Sequence, residues 1–326
     1  MRHGIDAEQE LELVTKTAFI FPGQGAQYVG MGKGLVDRFE SARGVFERAD
    51  DAMSERLSSL CWEGPEDTLT LTANAQPAIL ATSVACLEVL REHGMKPAFV
   101  AGLSLGEYTA LVSAGSLEFG DALRVVRQRG IAMQEACPEG MGSMAAIVGL
   151  AEEAVERACK EAEDAGLVEP ANYSCPGQVV ISGEKAAVAK ASAIACAMGA
   201  KRVIPLSVSA PFHCGLMRPA QDRLAEILSR VDVRPASTPV VANAIARAIT
   251  EPGDIRDCLI RQVTSPVLWE QSIRRMVEDG VRAFIEVGPG KTLAGLVKKT
   301  SPGIPCYSYD GRESLEAFLE SVQVGC

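Results

Sequence analysis

Phe99-Val100-Ala101-Gly102-Leu103-Ser104-Leu105-Gly106-Glu107-Tyr108-Thr109-Ala110-Leu111-Val112 is the stretch on which the fold of this 326-residue chain turns. An apolar run ends in glycine, a serine follows between two further breaks, and an apolar segment without Gly or Pro resumes. That order predicts strand, tight turn and helix. Gly102-Leu103-Ser104-Leu105-Gly106 fits G-x-S-x-G, in which glycines let strand and helix approach closely while the serine sits on a strained turn with Oγ exposed. A serine hydroxyl is a weak nucleophile until a base takes its proton, and a helix N-terminus offers amides to an oxyanion. The same pattern also occurs in ordinary turns, so context decides.

Upstream, Ala18 to Phe21 stops at Pro22-Gly23-Gln24-Gly25, as a buried strand ending in a loop would. Asn74 to His93 reads as a long buried helix that Gly94 stops. Between Gly140 and Ser209 the pattern changes. Strands at Met144 to Val148, Gln178 to Ile181 and Arg202 to Leu206 alternate with Ala-rich helices at Ala151 to Ala165 and Glu184 to Met198, an inserted α+β unit. After Pro211 come a helix (Leu216 to Arg230), a strand (Pro239 to Ala242), helices around Ile255 to Gln262 and Glu270 to Glu278, and a strand (Ala283 to Val287). The expectation is an α/β protein: a polar leader over 1–16, a large unit over 17–139 and 210–326, and a small unit over 140–209.

Composition narrows the function. With 32 Lys plus Arg against 42 Asp plus Glu, the formal charge of −10 disfavours nucleic acid or an anionic membrane as main partner. Ten cysteines are scattered without any CxxC, which suits small buried hydrophobes in a reducing cytoplasm better than disulfides or a metal site. The start, MRHGIDAEQELELV, lacks the apolar run of a secretory signal, and no segment is expected to reach the roughly 20 apolar residues of a membrane span.

Three histidines make the search for a base short. His3 lies in the leader, and His93 sits at a helix end, where the last carbonyls give it a structural role. His213, in the loop Ser209-Ala210-Pro211-Phe212-His213-Cys214, is the best base for Ser104. On the helix from Leu117 to about Glu135, 100° per residue gathers Phe119, Ala122, Val126, Gly130 and Met133 on one face with Arg129 among them, while Arg124 and Gln128 point away. A guanidinium there needs a carboxylate, from an internal Asp or Glu or from a substrate. Helix geometry alone favours the internal partner. The serine reverses the preference, because an enzyme selecting a dicarboxylic acyl group needs such a cation and a simple ester hydrolase does not.

Further motifs fall into one order between about Thr17 and Lys298: Phe21-Pro22-Gly23-Gln24-Gly25-Ala26-Gln27, the elbow through Glu107-Tyr108, Gln128-Arg129-Gly130, Pro176-Gly177-Gln178-Val179-Val180, Pro211-Phe212-His213 and Glu286-Val287-Gly288-Pro289-Gly290. In these the chain resembles the malonyl-CoA:acyl carrier protein transacylases of bacterial fatty acid synthesis and the related acyltransferase domains of polyketide synthases. The resemblance implies a hydrolase-like α/β subdomain with a parallel sheet, an inserted ferredoxin-like subdomain, and a site in the cleft between them. It implies that Ser104 is acylated, His213 is the base, and the N–H groups of Gln24 and Leu105 form the oxyanion hole. Arg129 would grip the malonyl carboxylate, and the carbonyl of Gln262 would orient the histidine where other triads use an acid. Malonyl-CoA and holo acyl carrier protein are the implied partners, with no metal or redox cofactor. Phe212 resembles the malonyl-selective form of its loop. Leu103 departs from the pattern, since many relatives have histidine there. A discrete polyketide acyltransferase, a serine thioesterase and a catalytically dead carrier-docking protein are the rival readings.

Overall fold

The computed structural model describes residues 16–138, 140–208 and 210–324; His3, Ser209 and Cys326 lie outside the described residues, as does nearly all of the leader. Thr17–Phe21 (β1) is apolar and buried along its whole length, the mark of a central strand covered on both faces. The chain continues with β2 (Phe99–Gly102), β3 (Gly142–Val148), β4 (Val168–Cys175), β5 (Gln178–Glu184), β6 (Arg202–Pro205), β7 (Val240–Ala242), β8 (Arg247–Ile249), β9 (Val267–Leu268), β10 (Ala283–Val287) and β11 (Cys306–Tyr309). A large sheet of six strands runs β11-β10-β1-β2-β7-β8, parallel except for the edge strand β8. A small sheet of five runs β6-β3-β5-β4-β9.

Within the small sheet, β3 pairs antiparallel with β5 and β6, and β4 pairs antiparallel with β5. Helices Glu152–Glu161 and Lys185–Ala197 complete a β-α-β-β-α-β unit of ferredoxin-like order. Two features depart from the sequence reading. Strand β4 was not foreseen, since Pro170 and two register shifts break its alternation. The fifth strand, β9, comes from beyond the 140–209 segment and joins β4 in parallel through Asn172 and Tyr173.

The long helix spans Thr72–Glu92 and carries Pro77 inside it. An internal proline costs about 3 kcal/mol, yet each fully buried Leu, Ile or Val contributes about 1.5–3 kcal/mol. Ile79, Leu80, Val84, Leu87, Val89 and Leu90 are all buried here, so packing wins. By length and composition this helix is apolar enough to cross a membrane, contrary to the expectation that no segment comes near; 83% of the apolar stretch is buried inside the protein. It is a core helix, packed against Glu40–Met53 and Phe119–Glu135. At its end His93 Nδ1 lies 2.9 Å from the Val89 carbonyl, the structural role expected. Of the nine described cysteines, seven are buried, Cys196 is exposed and Cys306 is half-buried. Burial pushes the Cys61 thiol up to about 12, so it packs as a hydrophobe.

Candidate active site

The elbow is built by close approach. A Cβ at Gly102 would run into the backbone of Gly106, and one at Gly106 into the Phe21 carbonyl. Without those atoms the helix Gly106–Ser113 sits directly on the ends of β1 and β2. Leu103 N donates to Phe21 O at 3.0 Å, which brings the loop after β1 beside the elbow and puts Gln24 in the same cavity as Ser104. Ser104 has φ 53°, a left-handed conformation that costs a non-glycine residue on the order of 1–3 kcal/mol. Asn243, just after the neighbouring strand β7, holds it there. Its Oδ1 accepts from Ser104 N at 2.7 Å and its Nδ2 donates to Gly102 O at 2.8 Å.

His213 also has positive φ, 61°, and is buried. Its Nδ1 lies 2.9 Å from the Gln262 carbonyl and its Nε2 lies 2.8 Å from Ser104 Oγ. A carbonyl only accepts, so Nδ1 carries the hydrogen and Nε2 presents a lone pair to the serine hydroxyl. Burial, and secondarily the charge of Arg129, lowers the imidazole to about 4. The ring is therefore neutral at pH 7 and able to take a proton.

Arg129 is 2% exposed on the apolar face that the sequence assigned to it. Nη1 donates to Gln76 Oε1 at 2.8 Å; Nη2 donates to Gln262 Oε1 at 2.9 Å and to Ser104 Oγ at 3.1 Å. Its guanidinium carbon lies 5.6 Å from the centre of the Tyr108 ring, and Nε makes no hydrogen bond among the described residues. Among the described residues no carboxylate forms an ion pair with it. The internal partner that helix geometry alone favours is not there. Glu107 is buried in the first turn of the elbow helix, where Oε2 accepts from Asn243 N and Gln262 Nε2, both at 2.9 Å. Burial pushes that carboxyl up to about 7, against the lowering effect of these donors.

Ser104, His213, Arg129 and Gln76 line a cavity of about 490 Å³. Gln24 and Leu105 both face it, and neither backbone N–H donates to a protein acceptor among the described residues. Leu105 is the residue before the elbow helix, so its amide is one of the helix's free donors. Phe212, Leu103, Met144 and Asn172 also line it, and Asn172 Oδ1 is buried with no hydrogen-bond partner among the described residues. Every site residue read from the sequence is thus brought to one place. Sequence reasoning missed Gln76, Glu107, Asn243 and the side chain of Gln262. For Gln76 a signal existed, a glutamine near the start of a long apolar helix, which has to find a partner when buried.

The family model described as acyl transferase domain matches residues 18–308. The malonyl CoA-acyl carrier protein transacylase of Bacillus subtilis (strain 168) is 48% identical over 311 residues, covering 95% of this chain and 98% of the relative. The chain belongs to the malonyl CoA-acyl carrier protein transacylase family. Among solved structures, an acyl carrier protein S-malonyltransferase from Vibrio cholerae is 42% identical with TM-score 0.91, over 94% of this chain and 99% of that one. A malonyl-transacylase in complex with its type II polyketide acyl carrier protein is 41% identical, TM-score 0.91, over 95% and 99%. In this transacylase, as across an open α/β sheet generally, the site lies beyond the carboxyl ends of the strands: Gln24 follows β1, Ser104 follows β2 and Asn243 follows β7.

Proposed function

We propose that the chain transfers a malonyl group from malonyl-CoA to the phosphopantetheine thiol of acyl carrier protein, supplying fatty acid synthesis. The observation that carries this is Arg129, a buried guanidinium within hydrogen-bonding distance of the serine oxygen and without a carboxylate in direct ion-pair contact among the described residues. A desolvated cation in that position is suited to an acyl group ending in carboxylate. In the first half-reaction Ser104 Oγ attacks the thioester carbonyl as its proton passes to His213 Nε2. The amides of Gln24 and Leu105 face the oxyanion, each such donor being worth about 3–4 kcal/mol at the transition state. Collapse expels coenzyme A as a thiol, with the proton returned by His213. The carrier thiol then attacks the malonyl-serine ester by the same steps in reverse. Gln262, through its carbonyl, keeps the imidazole in the working tautomer, and Phe212 limits room at the α-carbon. We also propose a cytoplasmic location, in keeping with scattered cysteines that form no CxxC pair.

The test is intact-protein mass spectrometry after brief exposure to malonyl-CoA, then addition of holo carrier protein. A malonyl adduct that requires Ser104 and moves to the carrier is expected. An adduct lost to water as fast as to carrier would make the chain a thioesterase. Presenting fatty acid and polyketide carriers side by side distinguishes the pathway, a point raised by the similarity to the polyketide complex.

A further inference from the structure

Gln262 is engaged from both its backbone and its side chain. While its carbonyl holds His213 Nδ1, its Oε1 accepts from Arg129 Nη2 at 2.9 Å. Its Nε2 donates to Glu107 Oε2 at 2.9 Å and to Ser104 O at 3.0 Å, and lies 3.3 Å from Asn243 Oδ1. An amide has one donor end and one acceptor end, so three acceptors around the nitrogen fix which way the oxygen points. It points at the guanidinium. Gln262 ends the helix Pro252–Gln262 and is fully buried, Glu107 lies on the elbow helix, and Asn243 follows β7, so three separate segments converge on one amide.

We infer that the Gln262 side chain is a positioning residue for carboxylate selectivity, holding the Arg129 guanidinium beside Ser104 while Glu107 anchors the amide that does so. This rests on the malonyl-transfer reading given above. A guanidinium on a long flexible stem stays in one place only if its donors are held. Gln76 holds Nη1; Gln262 holds Nη2. With the second hold removed, the cost of ordering Arg129 falls on substrate binding, and only for substrates that use Arg129. Any substitution at Gln262 leaves its carbonyl in the chain, so the hold on the base survives, while the holds on Arg129 and on the Ser104 carbonyl are lost together.

The experiment compares wild type with Gln262→Met, which keeps side-chain length and removes both polar ends. Two rates are read: malonyl transfer from malonyl-CoA, and phosphonylation of Ser104 by a neutral organophosphate, which needs nucleophile and base but no carboxylate site. Both rates are expected to fall, because Nε2 also holds the Ser104 carbonyl, but malonyl kcat/KM by at least about tenfold more than phosphonylation, with the excess appearing in KM. Parallel losses in both rates, or unchanged malonyl kinetics, would overturn the inference. Should Gln262→Met fail to fold, Gln262→Asn keeps an amide but draws it back by one methylene from Arg129. It is expected to raise the malonyl-CoA KM by a larger factor than it lowers phosphonylation; a KM equal to wild type would overturn the inference equally. The wild type controls the underlying reading. If it accepts acetyl-CoA as readily as malonyl-CoA, malonyl selectivity itself fails, whereas a selective wild type with an indifferent variant sinks only the role of Gln262.

Discussion

Across the cavity, the large-sheet wall and the small-sheet wall differ in how far their polar groups bond to one another. On the large-sheet side Ser104, Glu107, Arg129, Asn243 and Gln262 bond to one another, closing a web over residues as distant in sequence as 104 and 262. On the small-sheet side Met144 offers an apolar surface, and Asn172 Oδ1 is left without a hydrogen-bond partner among the described residues. His213 stands in the loop between them and is tied by Gln262 to the large-sheet side. A reacting constellation has to be held to a fraction of an ångström, so its groups satisfy each other in advance. A wall that receives a substrate gains more from keeping acceptors unspent.

The contrast can be broken at graded cost. Ser104→Ala should remove the acyl-enzyme and lower transfer by about 10⁴-fold or more, read by mass spectrometry and steady-state rate. A carrier still loaded at wild-type rate would move the chemistry off the elbow altogether. Arg129→Ala should reduce malonyl kcat/KM by about 10²–10³-fold and shift preference towards acyl groups without a carboxylate, checked with acetyl-CoA. The same substitution sharpens the electrostatics. In wild type, phosphonylation of Ser104 should persist as pH falls and be lost only through about 4, where buried His213 finally takes a proton. Arg129 is among the causes holding that value down, so its removal should move the acid limb upward, towards the 6.5 of an ordinary histidine. A wild-type limb already at 6.5 would mean the ring is wetter than described.

Asn243→Ala should lower kcat about tenfold and stability by about 1–3 kcal/mol, because Ser104 N and Gly102 O lose their buried partner. Chemical denaturation and single-turnover acylation read the two effects. Met144→Ala, on the other wall, should change the rate of Ser104 acylation less than about fivefold, for its thioether is not a group that moves a proton. An effect as large as that of Asn243→Ala would erase the distinction between the walls.

Much of the site was legible because its chemistry is carried by local patterns. Gly102 and Gly106 announce close packing, Arg129 is anomalous on its helix face, and three histidines leave one sensible base. The web behind them was not legible. Asn243, Glu107 and the side chain of Gln262 are ordinary groups whose meaning appears only when the strand order sets β7 beside β2. The fold failed to show where alternation fails. Strand β4 hides behind Pro170 and its bulges, and β9 is only Val267–Leu268. Helix Glu40–Met53, by contrast, went unread despite Ala42, Val45, Phe46 and Ala49 at the spacing of one buried face.

Strand order also governs when each half of the cleft can exist during synthesis. The four strands β3 to β6 are contiguous, complete once residue 205 has been made. At the centre of the large sheet, β1 pairs with β10, whose last residue is Val287. A ribosome must therefore deliver most of the chain before the strand that leads into Gln24 gains its second neighbour. Until then an apolar β1 edge stands open, the kind of edge on which nascent chains aggregate or chaperones act.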